Sequence, residues 1–196
     1  AYSDRAIAYA MAMTEWETWN ETNYPCGGQT CLGTAHIVQG MSAAYDMLYD
    51  QLSAEQQEAI EAALITKGLE PLYVDVYSKI DHNIQMLRAT ALGTGGALLL
   101  GKSDQAHKYL TRATAYYEWY LDARMNSGQQ EGFLYTSYAM ENMMIAIDHI
   151  SRTTGVREWI EHPFIDDFLV QWVLYGSSPG LNGGLANISD AGAVNY

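Results

Sequence analysis

The chain has 196 residues, 23 acidic against 10 basic, for a formal net charge of −13. Ten Lys and Arg cannot build the broad basic face that a phosphate backbone needs, so nucleic acid is excluded as a partner. An apolar content of 48 % is too high for a disordered chain. No apolar run approaches the ~18–20 residues of a membrane span. The length suits a single domain of about 150–200 residues with a real core. The chain opens on Ala1 rather than Met, which fits a processed or excised piece whose signal peptide, if it had one, is gone.

Hydrophobic periodicity reads helical nearly throughout. A first helix is expected over residues 3–19. A second covers 33–52, with Ile37, Met41, Tyr45, Leu48 and Leu52 at three- and four-residue steps. Ser53-Ala-Glu-Gln56 has capping-box spacing and opens a third helix that is expected to stop at Lys67-Gly68. A fourth covers 82–100, and Gly101-Lys-Ser103 separates it from a fifth at 104–125. After Asn126-Ser-Gly128 a sixth helix runs from 133 to Thr154-Gly155. Pro163 then opens a seventh that ends at Gly176, with Asp166 and Asp167 on its solvated face. Residues 177–184 read as a loop and Leu185 to Tyr196 as extended or irregular. The fold is all-α: about seven helices forming one domain over residues 1–196.

Cys26 and Cys31 flank a Gly-rich stretch and form either a small disulfide loop or two free thiols. A zinc site would need more ligands than the nearby His36, and no metal or cofactor is expected. Fifteen Tyr and five Trp against three Phe suit sugar rings as well as wet interfaces, though composition alone favours seams between helices. The fourth helix carries Ala89-Thr-Ala-Leu-Gly-Thr-Gly-Gly-Ala97. So many small residues cost helix propensity and imply close approach of neighbouring helices. It is no phosphate loop, because no strand precedes it and Gly101-Lys-Ser103 lies too late.

If successive helices alternate in direction, the connections after helices one, three, five and seven share one end, and on the whole they are the longer ones. Long loops gathered on one face of a rigid scaffold are where function usually resides. The starts of helices four and six lie on that face, where helix N-termini favour anionic groups. Asp81, His82, Asn83, Glu131 and Tyr135 are therefore candidates to converge on one ligand. Each also has a structural reading: Asp81 as an N-cap, His82 as a structural histidine, Tyr135 and Tyr138 as core aromatics. His36, His107 and His149 stand isolated within helices and receive no role.

At these segments the sequence resembles the heparinase II/III-like polysaccharide lyases and the related alginate lyases. The resemblance spans about residues 32–196. Thr34 to Ser53, with its Tyr-Asp and Leu-Ser ending, resembles the family's helix pair. Asp81-His-Asn83 is similar to its Asn-His segment, Glu131-Gly-x-x-Tyr135 to its Glu-Gly-x-x-Tyr, and Asn187-Ile-Ser-Asp190 to a loop near the end of its helical half. The resemblance implies antiparallel α/α hairpins forming part of an incomplete α/α toroid, followed by a β-sandwich domain that this chain lacks. It further implies cleavage of an acidic, uronate-containing polysaccharide or oligosaccharide by β-elimination, in an exported protein of the periplasm or cell exterior. Tyr135 matches the catalytic tyrosine and His82 its assisting histidine, with Asp81, Asn83, Arg88, Glu131 and Tyr138 as substrate-binding residues.

One departure is informative. Asp81 stands where the family has an asparagine that neutralises the uronate, and an ionised Asp repels a uronate. Either Asn83 takes that part, Asp81 is protonated, or the substrate is another saccharide. The charge of −13 likewise calls for a local patch, expected around Lys79 and Arg88, to reverse the field. Two other readings remain open. One is a glycoside hydrolase on a related α/α scaffold, using Asp81 and Glu131 as its carboxyl pair. The other is a non-catalytic carbohydrate-binding domain with Tyr135 buried.

Overall fold

The computed structural model describes residues 2–20, 26–77, 79–126 and 132–167. These hold helices α1 (Tyr2–Thr14), α2 (Leu32–Leu48), α3 (Ala54–Ala63), α4 (Glu70–Asp75), α5 (Asn83–Leu98), α6 (Ala106–Asn126) and α7 (Gly132–Thr154). Among the described residues there is no strand, so the chain is all-α. Residues 163–167 are also helical, with Pro163 at the start and Asp166 and Asp167 exposed. The remainder of that expected helix, the loop at 177–184 and residues 185–196 lie outside the described residues.

The first helix stops at Thr14, short of the expected end at 19. The Thr14 hydroxyl turns back to donate to the Met11 carbonyl at 2.6 Å, and Trp19 folds underneath, donating its indole N–H to the Met13 carbonyl at 3.0 Å. Lys67 supplies what the helix end lacks. Its ammonium donates to the Thr14 carbonyl at 2.6 Å and to the Trp16 carbonyl, placing a cation on the negative end of α1. The expected second helix ends in a 3₁₀ turn, Tyr49–Gln51. Ser53 then caps α3 as its spacing requires, because its hydroxyl accepts from the Gln56 N–H while the Gln56 side chain accepts from the Ser53 N–H.

The third helix does not stop at Lys67-Gly68. A π-helical turn, Leu64–Leu69, carries it into α4, with the Glu70 N–H reaching back to the Ile65 carbonyl. Pro71 has no N–H to offer the preceding turn and its ring crowds an α-helix, a conflict that the wider turn relieves. Gly68 is there for contact rather than termination. A Cβ on it would lie 2.4 Å from Val38 Cγ2 and 3.3 Å from the Trp19 ring.

Helix α5 is the centre of the molecule. Fourteen of its 16 residues are buried, and α2, α6 and α7 all pack on it. The small residues make this possible: Gly93 faces Tyr117 and Ile150, Gly95 faces Leu69, and Gly96 faces Tyr109 and Leu110. From Gly96 against Leu110 to Asp81 against Arg124, the contacts run antiparallel between α5 and α6. The other two neighbours run with α5. The C-terminal ends of α2, α5 and α7 meet around a cleft lined by Asp46, Thr94, Leu98 and Arg152. At the other end, Arg88 reaches Thr30 just before α2, and His36 meets Tyr138. The starts of the expected fourth and sixth helices thus share one end, as the alternation of directions requires.

Candidate active site at the shared helix ends

The floor of this end is a buried polar network. Cys26 and Cys31 are joined as a disulfide, with Cα atoms 5.5 Å apart, which decides between the two readings of the pair. Asp75 at the end of α4 accepts from the Thr30 N–H at 2.7 Å and from its hydroxyl at 2.6 Å. Gly28 leaves room for that carboxylate, since a Cβ there would stand 2.7 Å from it. Arg88 donates to the carbonyls of Cys26 (3.0 Å) and Thr30 and to Gln85 Oε1 at 3.2 Å, with Asp75 3.9 Å away. Burial pulls the Arg88 guanidinium below its ordinary pKa, against the opposing pull of Asp75 and Tyr77. Arg88 is 4 % exposed, so it is not the surface patch expected beside Lys79. It staples the disulfide loop to α5.

Above this floor, the segment leading into α5 carries Asp81, His82 and Asn83. His82, not Asp81, is the N-cap: its Nδ1 accepts from the Ile84 N–H at 3.2 Å while the ring stays exposed. Asp81 instead forms an ion pair with Arg124 in the last turn of α6. The Arg124 side chain is nearly buried, and its guanidinium lies 4.7 Å from the centre of the Tyr120 ring. Tyr116 donates to the Ile80 carbonyl at 2.7 Å, fixing the same segment from below. Asn83 is 6 % exposed, set beneath the surface rather than on it.

From α7, Tyr135 and Tyr138 are both half-buried at this end, neither sealed in the core nor fully open. The Tyr138 hydroxyl is 2.9 Å from His36 Nε2 on α2. Burial, and then the charge of Glu141, raises the pKa of the Tyr138 hydroxyl, so at neutral pH it stands as a phenol able to donate. Glu131 lies outside the described residues. The candidate residues thus come from the starts of α5 and α7, with α2 and α6 as neighbours.

Two participants escaped the sequence reading. His36 looked isolated, because its partner Tyr138 is 102 residues away. Arg124 is 43 residues from Asp81, and its only local signal was a cation in the last turn of a helix. Among the described residues no group of three or more His, Cys, Asp or Glu is placed to hold a metal ion. None of their helices is long and apolar enough to cross a membrane. Comparison with protein-family models gives no match, and comparison with curated proteins gives none either.

Proposed function

We propose that this helical array is the proton-transfer portion of a polysaccharide lyase that cleaves a uronate-containing chain by β-elimination. In this reading it forms part of an incomplete α/α toroid and acts with a β-sandwich domain. The observation that carries the reading is the His36–Tyr138 hydrogen bond, on two helices whose starts lie at the same end as His82 and Tyr135. That arrangement supplies two phenols and two imidazoles to one face, which is what moving a carbon-bound proton at neutral pH requires.

Tyr135 passes its phenol proton to His82 as it takes the proton from C5 of the uronate. The electron pair left behind becomes the C4–C5 double bond as the C4–O bond breaks, and the departing oxygen takes a proton from a phenol. Tyr138, held neutral, suits that donation. The costly species is the enolate-like transition state, in which a carboxylate must accept further charge, so donors at the starts of α5 and α7 contribute most there. Arg124 bears on the departure at Asp81. An aspartate whose charge is already balanced by a buried guanidinium repels a uronate far less than a bare one. The same pair weighs against Asp81 as a hydrolase acid, because that carboxyl group is committed to Arg124. The disulfide supports an oxidising setting, the periplasm or the cell exterior.

The test is incubation of the chain, and of the full gene product where the gene encodes more, with polyuronates. Elimination leaves a double bond conjugated to the carboxylate, so ultraviolet absorbance should rise. Tyr135→Phe keeps the ring, so binding should survive while product formation falls by about 10²–10⁴. A variant that makes unsaturated product at near-normal rate overturns the role of Tyr135. Severe loss in Glu131→Gln, without any ultraviolet signal, would instead select the hydrolase.

A further inference from the structure

Tyr73 on α4, residues 76, 77 and 79 beyond it, and the first half of α6 line an open groove of about 560 Å³. Three of the chain's ten basic residues, Lys79, Lys108 and Arg112, line it, and among the described residues no carboxylate does. On a molecule of charge −13 these three cations, one of them paired with Glu70, form a locally basic strip.

Two of these cations are held in place. Lys108 bonds Glu70 at 2.5 Å and lies 5.1 Å from the centre of the Tyr73 ring. Arg112 donates to the Tyr73 carbonyl at 3.1 Å and stacks 3.9 Å from the same ring centre. Tyr77, 73 % exposed, adds further aromatic surface. Fixed cations beside tyrosine faces match a ligand that alternates apolar ring faces with anionic groups.

We propose that this groove binds an acidic saccharide chain, bearing carboxylates or sulfates, and holds it beside the candidate active site. The two are continuous: Lys79 stands two residues before Asp81, and Tyr116 is bonded to the carbonyl of Ile80 between them. From His107 to Tyr116 the wall formed by α6 is about 14 Å long at ~1.5 Å per residue, room for a short oligosaccharide. The identity of the ligand rests on the reading of an acidic polysaccharide as substrate.

The experiment is a nuclear magnetic resonance titration of the isotope-labelled chain with three probes: a 1,4-linked tetrauronate, its neutral methyl ester and inorganic sulfate. The tetrauronate should shift the amides of Val76, Thr111 and Ala115, and the other two probes should not at equal concentration. Lys79→Glu alters an exposed side chain and should weaken this binding at least tenfold. Lys79→Gln combined with Lys108→Gln should do the same, while Arg157→Gln, at an exposed cation that does not line the groove, leaves it unchanged. Absent shifts, or equal shifts from the ester or from sulfate, overturn the proposal. Tetrauronate shifts with no unsaturated product from the full gene product would fail the lyase reading and leave the groove standing; product without shifts would fail the groove alone.

Discussion

Removing the guanidinium of Arg124 leaves the Asp81 carboxylate, mostly withdrawn from solvent, without the cation that pairs with it. Breaking a buried pair from one side costs about 3–5 kcal/mol, and Asp81 keeps some contact with water, so Arg124→Met should cost about 3 kcal/mol. Adding Asp81→Asn should recover part of that loss, because the uncompensated charge is then gone. Urea unfolding of the two variants checks both statements. A second pair has a pH signature. Burial acts to raise the pKa of Glu70, but hydrogen bonds from Lys108 and Tyr109 outweigh it and hold the carboxyl below its ordinary value. A carboxyl group lowered on folding contributes stability above its unfolded pKa of about 4.3, and loses it as pH falls through the lower folded value. Glu70→Gln should therefore flatten the loss of stability below about pH 4.3, with little change in slope between pH 6 and 8. Urea midpoints across that range read the difference.

At the scale of helices, glycine separates what the sequence tells from what it hides. Gly40 in α2 has nothing within 4 Å of a Cβ, so Gly40→Ala should stabilise by about 0.5–1 kcal/mol through helix propensity alone. Gly68 faces Val38 and Trp19, and there the same exchange should destabilise by about 1–3 kcal/mol through overpacking. Thermal unfolding of the two variants should move in opposite directions. The sequence reads Gly40 as lying within a helix and Gly68 as ending one, and neither reading tells which glycine is packed against a neighbour. The capping box at Ser53 was legible because both partners lie within four residues. The run of small residues in α5 was legible as a contact surface because several weak helix formers together need a reason. The continuation through the π turn was not, since Gly68 reads locally as a stop and its packing against Val38 and Trp19 is tertiary. The site divides in the same way. His82 and Tyr135 could be placed at one end by counting helices. The burial of Arg88 could not be seen, because a charge in a sequence does not say whether it faces water or a disulfide loop. His36–Tyr138 and Asp81–Arg124 are tertiary facts with no local trace.

For the molecule as a whole, the distribution of burial sets an order of opening. Helix α5 is enclosed by α2, α6 and α7, so its amides should exchange only through global unfolding. Helix α1 buries only Ala10 and Thr14, and its C-terminal carbonyls depend on a donor from another element, Lys67. Its amides should open locally at a lower free energy. Lys67→Ala removes charge-assisted hydrogen bonds worth about 1.5 kcal/mol or more, which corresponds to roughly tenfold faster exchange in α1. The same change should leave α5 nearly unaffected, because local opening of α1 exposes none of the contacts that α5 makes with α6 and α7. Native-state hydrogen exchange on wild type and variant measures this directly. Equal acceleration in α1 and α5 would show that they unfold together, and that the end of α1 is part of the global unit rather than a separately opening edge.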